Sequence, residues 1–192
     1  MDSVVLTITN GITINAGTDE TICSNNAEVS LTGSVSGATS TGEWSTSGDG
    51  SFVPDEFDLN ATYQSSENDT AAGSIYLILT STNNGGCLIE KDSILVNYTP
   101  SPAVSVGNDI SVCANNANTN LSGFINFGAS EGIWSTSGTG GFSPNATNLN
   151  TIYVPSDDDT TAGSIIIYLT TTDHNNCLAV TDSLNLIIEP TP

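Results

Sequence analysis

Ile75-Tyr76-Leu77-Ile78-Leu79-Thr80, then Asn83-Asn84-Gly85-Gly86, then Ile94-Leu95-Val96-Asn97-Tyr98 reads as a long hairpin. Ile75, Leu77 and Leu79 alternate with Tyr76, Ile78 and Thr80, which places two sets of side chains on opposite faces of a strand. Ile94, Val96 and Tyr98 repeat the pattern. The Asn and Gly residues between them tolerate the left-handed backbone of tight turns. Helical periodicity is absent elsewhere, and short β-branched runs alternate with Gly, Asn, Ser and Pro clusters. In the first half of the chain strands are expected near 12–15, 20–23, 27–35, 42–46, 51–53, 61–64, 73–82 and 88–98. Strands this short and this closely spaced predict an antiparallel sandwich.

Outward from the hairpin, the chain repeats itself at a spacing of 90 residues without insertion or deletion. Cys23 maps to Cys113, Cys87 to Cys177, and Trp44-Ser45-Thr46-Ser47-Gly48 to Trp134-Ser135-Thr136-Ser137-Gly138. The turn at Asn83 maps to Asp173-His174-Asn175-Asn176. Asp2-Ser3-Val4, Asp92-Ser93-Ile94 and Asp182-Ser183-Leu184 open one phrase three times. A period of this length is a whole domain rather than a solenoid rung. The expected organisation is residues 1–11 as the terminal strand of a preceding repeat, 12–100 as one module and 101–192 as a second. Thr99-Pro100-Ser101-Pro102 joins the modules as an extended, fairly stiff connector.

Acidic residues number 21 against a single base, Lys91, for a formal charge of -20. Nothing is present to neutralise phosphate, so nucleic acid is excluded as a natural partner. Anionic membranes are disfavoured in the same way, and no apolar run reaches the length of a span, so no membrane insertion is expected. The charge favours solubility, self-repulsion along an array, and attraction for divalent cations.

Each copy holds two cysteines, and four in total allow three pairings. Bridges within each module, Cys23–Cys87 and Cys113–Cys177, satisfy every cysteine and are the favoured reading. In an immunoglobulin-like strand order, however, Cys23 and Cys87 fall at opposite poles, and bonded cysteines need Cα atoms within about 7 Å. Head-to-tail stacking then offers Cys23–Cys177, with Cys87 and Cys113 directed to neighbouring modules. Either bridge implies an oxidising compartment.

Asp19 and Asp109, Asp69 and Asp159, and Glu67 and Asp157 recur as acids in both copies. Ser66-Glu67-Asn68-Asp69-Thr70 and Ser156-Asp157-Asp158-Asp159-Thr160 are the densest oxygen clusters, which makes Ca2+ a candidate ligand. The competing reading of Asp69-Thr70-Ala71-Ala72-Gly73 is a capped turn whose carboxylate accepts backbone N–H bonds. Trp44 and Trp134 are expected in the core between sheets. His174 is the only histidine and is replaced by Asn84 in the first copy, so it supports neither zinc nor a Ser-His-Asp arrangement. No catalytic residues are assigned, and the chain is read as no enzyme.

Ala16-Gly17-Thr18-Asp19-Glu20-Thr21-Ile22-Cys23, the Trp44 stretch, Tyr63 through Leu79, and Asn84-Gly85-Gly86-Cys87 leading to Asp92-Ser93-Ile94 together resemble the Ig-like or PKD-like tandem repeats of Bacteroidota cell-surface adhesins, of the gliding-motility type. The resemblance covers essentially the whole chain. It implies a fold of two tandem Ig-like antiparallel β-sandwich modules and a structural extender role in a large, secreted, cell-surface filament used in adhesion or gliding. The implied partners are adjacent identical repeats in the same chain and a surface polysaccharide or substratum. The alternative is a glycan- or protein-binding Ig-like module of a secreted protein.

Overall fold

The computed structural model describes residues 10–191. Of the segment 1–11 expected to belong to a preceding repeat, residues 1–9 lie outside the described residues. The chain divides between Thr99 and Pro100 into two compact units.

The first unit runs β1 (Thr13–Asn15), β2 (Glu20–Cys23), β3 (Glu28–Ser30), β4 (Ser34–Ser36), β5 (Thr41–Thr46), β6 (Ser51–Val53), β7 (Thr62–Gln64), α1 (Glu67–Ala72), β8 (Ser74–Thr82) and β9 (Lys91–Thr99). The hairpin of β8 and β9 is its backbone. Those strands pair antiparallel from Ser74↔Asn97 to Thr80↔Lys91. They lie at the centre of a four-stranded sheet in the order β2-β9-β8-β5, facing a three-stranded sheet β3-β7-β6, and β1 pairs with β4.

The alternation of the sequence is what makes this a sandwich. Ile75, Leu77 and Leu79 of β8 and Ile94, Val96 and Tyr98 of β9 all point inward, where they meet Trp44, Val29, Leu31, Ala61 and Tyr63. Each such side chain, taken fully out of water, contributes about 1.5–3 kcal/mol. Tyr76 lies on the opposite face and is half exposed. The Trp44 indole N–H donates to the Leu59 carbonyl at 3.3 Å, so the largest core side chain buries no unsatisfied donor.

Two expectations need correction. The stretch 27–35 is two strands, with β3 in the three-stranded sheet and β4 turned onto β1. The break falls at Gly33, packed so closely on Trp44 that an added Cβ would stand 2.8 Å from the ring. The sandwich is also not purely antiparallel. β2 runs parallel to β9, from Glu20↔Val96 to Cys23↔Thr99.

The second unit repeats the plan with β10 (Ala103–Ser105), β11 (Ile110–Cys113), β12 (Thr119–Ser122), β13 (Phe124–Asn126), β14 (Glu131–Thr136), β15 (Gly141–Ser143), β16 (Asn150–Val154), α2 (Asp157–Ala162), β17 (Ser164–Thr172) and β18 (Thr181–Glu189). Its sheets are β11-β18-β17-β14, β12-β16-β15 and β10-β13, and β11 is parallel to β18. Trp134, Ile167, Leu169, Leu184 and Leu186 form the equivalent core. The protein is thus two tandem Ig-like β-sandwich modules.

Candidate functional site

Two groups of residues stand out from the sandwich frame: a buried carboxylate at one pole of each unit, and cysteines at both poles.

In the first unit Ser66 caps α1. Its hydroxyl accepts from the Asp69 N–H, and the Asp69 carboxylate accepts from the Ser66 N–H in return, closing a capping box. Asp69 is only 2% exposed and reaches well beyond its own helix. Its Oδ1 accepts from the Asp49 N–H at 2.9 Å, and its Oδ2 from the Gly50 N–H at 3.2 Å and the Tyr63 hydroxyl at 2.7 Å. The Tyr63 oxygen itself accepts from the Gly50 N–H and the Thr46 hydroxyl. One carboxylate therefore ties α1, the β5–β6 loop and β7 into a single node.

The loop must come close for this to happen. A Cβ on Gly50 would lie 2.3 Å from the Gln64 carbonyl oxygen and 2.6 Å from the Tyr63 hydroxyl. Burial alone raises the Asp69 pKa, but the hydrogen bonds from Tyr63, Ser66, Asp49 and Gly50 outweigh it and hold the carboxyl below its ordinary value. Burial pushes the Tyr63 phenol up to about 12.

The second unit builds the same node. Asp159 accepts from the N–H groups of Thr139, Gly140 and Ser156 and from the Tyr153 hydroxyl at 2.6 Å. Burial acts against it and its hydrogen bonds prevail, so its pKa is likewise lowered.

These contacts decide how the calcium candidates are placed. Asp69 and Asp159 are occupied as acceptors, whereas Glu67 and Asp157 are exposed on their helices. Asp19 accepts from the Leu95 N–H at 2.8 Å and clasps the β1–β2 loop to β9. Asp109 does the same through the Asn185 N–H at 2.8 Å and its side-chain amide. Asp92 and Asp182, of the repeated Asp-Ser phrase, return the clasp by accepting from Ala16 and Val106. The six carboxylates do not converge, and among the described residues no group of three His, Cys, Asp or Glu is placed to hold a metal ion.

The cysteines correct the pairing expected within each module. Cys23 ends β2 in register with Thr99, and the next N–H, of Ser24, donates to the Thr99 carbonyl. Cys87 lies beyond the other end of the same hairpin, in the turn before Lys91, where its N–H donates to Asn84. From Lys91 to Thr99 the strand rises roughly 27 Å, and a disulfide tolerates a Cα separation of about 7 Å. The bridge Cys23–Cys87 is therefore excluded by the hairpin itself. Cys113 and Cys177 are held apart in the same way, since Cys113 is in register with Glu189 and Cys177 sits in the turn before Thr181.

Cys23 and Cys177 are half-cystines. Cys113 is exposed and carries a thiol. Within the first unit Cys23 lies beside Thr99, and within the second the Cys177 sulfur lies 4.0 Å from the carbonyl oxygen of Pro100.

His174 serves its own turn, its Nδ1 meeting the Cys177 carbonyl. Trp44 and Trp134 are core residues, 1% and 2% exposed. Sequence reasoning missed Tyr63, Tyr153, Gly50 and Gly140 as members of the carboxylate nodes. The signal available was Ser66-x-x-Asp69 followed by Gly73, a capping-box pattern. Among the described residues no helix is long and apolar enough to cross a membrane.

No family model matches the chain. No curated protein matches it by sequence. Among solved structures it is similar to a three-immunoglobulin-domain variant fragment of titin, with 12% identity and a TM-score of 0.44 over 94% of this chain and 66% of that one. Sidekick-1 immunoglobulin domains 1–4 match at 11% identity and a TM-score of 0.42, over 96% of this chain and 50% of theirs. Cadherin domains 3–6 of protocadherin gamma B2 match at 14% identity and 0.39, over 92% of this chain and 47% of theirs. The chain thus spans two thirds or less of these fragments.

Proposed function

We propose that the chain is a tension-carrying spacer: a pair of Ig-like repeats from an exported surface protein, built to hold other parts of that protein at a distance. The observation that carries the reading is the duplication itself: two compact units meet at Thr99 and Pro100, each with its own apolar core and its own Tyr–Asp node, and among the described residues no group of three His, Cys, Asp or Glu is placed to hold a metal ion. Cys23 and Cys177 are half-cystines. A structural disulfide persists in oxidising surroundings, which supports an extracellular location. The charge of -20 supports it further, since self-repulsion keeps an array soluble and extended. The setting of a bacterial adhesin, with a polysaccharide or substratum as its distant target, follows from the resemblance of the repeats.

A spacer of two self-contained modules has a mechanical signature. Single-molecule pulling of the reduced protein is expected to show two separate unfolding events, each releasing about 300 Å of contour. A single event that releases the whole chain, or gradual extension with no resolved event, overturns the spacer reading.

A further inference from the structure

The sheet β12-β16-β15 of the second unit ends in β12, and that edge is open. The Gly123 N–H donates to the Leu149 carbonyl, and hydrogen bonding alternates residue by residue along an antiparallel pair. Thr119, Leu121 and Gly123 therefore turn their backbone groups towards β16, while Asn120 and Ser122 turn theirs away from it. Among the described residues nothing meets those outward groups. The strand that would cover them stops short. β10 runs beside β13 only as far as Ser105↔Phe124. Beyond that pair the Val106 N–H donates to Asp182, and Gly107 takes a φ of 82°, which carries the chain across to β11 in the other sheet. The far edge of the same sheet is blunted, since β15 ends at Pro144.

Charge separates this edge from its counterpart in the first unit. Natural proteins guard an open edge strand, often with a charged side chain. β3 begins with exposed Glu28, and residues 25–66 hold six acids: Glu28, Glu43, Asp49, Asp55, Glu56 and Asp58. The matching residues 115–156 hold one, Glu131, and the place of Glu28 is taken by Asn118. In a chain of formal charge -20, this neutral edge is where a second copy meets the least repulsion.

We propose that β12 pairs antiparallel with β12 of a second copy, about a two-fold axis at Asn120. Asn120 then faces its own counterpart and Ser122 faces Asn118, each pair exchanging N–H···O=C bonds. The two three-stranded sheets become one sheet of six strands. The side chains brought together, Asn118, Asn120 and Ser122, are exposed and uncharged. This joining of copies edge to edge goes beyond the spacer reading. It also fails separately, because pulling reads one molecule at a time.

The test is analytical ultracentrifugation of the full chain carrying Cys113→Ser, which removes the exposed thiol as a route to covalent dimers. A monomer–dimer equilibrium that shifts to dimer with concentration is expected. Asn120→Asp sets like charges against each other across the axis and is expected to raise the dissociation constant about fivefold or more. Asn120→Lys is expected to do the same alone. Mixed, the two are expected to pair again, because opposite charges then face each other. Ser30→Asp, at the matching exposed position of β3, is expected to change nothing. Tryptophan fluorescence checks that each variant is folded. The proposal is overturned by a monomer at every concentration, by a dimer indifferent to Asn120→Asp, by an equal loss from Ser30→Asp, or by a mixture of Asn120→Asp and Asn120→Lys that stays monomeric.

Discussion

The two units keep the same carboxylate node and use the same cysteine positions differently. Asp69 and Asp159 collect equivalent donors at nearly equal distances, from Tyr63 at 2.7 Å and Tyr153 at 2.6 Å. Cys23 and Cys113, equally well aligned, are a half-cystine and a thiol. The node is assembled entirely within one unit, so each copy forms it alone. A cysteine at a pole cannot reach the other cysteine of its own unit across the hairpin, so the module alone does not set its state. Agreement between copies marks what folds a module, and disagreement marks what its folding leaves open.

The node offers the largest way to break that comparison. Asp69→Asn puts an amide where four donors expect a carboxylate, two of them within buried or half-buried surroundings. It is expected to destabilise the first unit by about 3 kcal/mol or more. Asp159→Asn is expected to do the same to the second. Each unit holds one tryptophan, so urea titrations of single-tryptophan versions, with the other Trp replaced by Phe, separate the two losses. If either substitution lowers both units equally, the node is not confined to its own module.

Acid sharpens the same point with a smaller effect. The folded pKa values of Asp69 and Asp159 lie below the ordinary value of about 4. The unfolded chain therefore binds more protons in the window below that value. The stabilisation is complete above about pH 4 and is lost as pH falls through the folded values. The difference in urea midpoint between the native sequence and Asp69→Asn is expected to hold from pH 7 to about 5 and to shrink below about 4. A difference independent of pH down to about 2 removes the carboxylate from the account. At the alkaline end the sign reverses. Tyr63, raised to about 12, contributes stability below about pH 10 that is lost as pH rises towards the folded value.

The smallest effect compares Gly37 with Phe127, which occupy one position in the two copies. Both have positive φ, 103° and 62°. Gly37 has no room for a Cβ, which would meet the Gly11 carbonyl oxygen at 2.0 Å. Phe127 is 64% exposed and holds a bulky residue in the left-handed region. Phe127→Gly is expected to stabilise the second unit by up to about 1 kcal/mol, and Gly37→Ala to destabilise the first. Thermal melts of the two variants check the opposite signs.

The sheets were legible in the sequence because each core strand alternates, and Ile75 to Leu79 with Ile94 to Tyr98 suffices to place the central hairpin. The helix α1 was not. Six residues leave no space for an apolar stripe, and the one side chain it buries is charged Asp69. What remained visible was its cap, which serves a turn and a helix alike. The candidate metal ligands were ambiguous for a related reason: a carboxylate that gathers N–H groups and one that gathers calcium look the same in one dimension. The cysteine poles could be read from the hairpin, but the assumption that each module closes its own bridge favoured the wrong partners. Only the register of β2 against β9 shows how far apart Cys23 and Cys87 lie.

The parallel pairing of β2 with β9 sets how each module meets a pull on its ends. The early strand and the last one lie side by side and run the same way, so opposite forces at the two ends of a unit slide one along the other. Their hydrogen bonds are then loaded together, in shear, rather than opened one at a time from an end. β11 and β18 repeat the arrangement, so each module carries its own clamp between its early strand and its last.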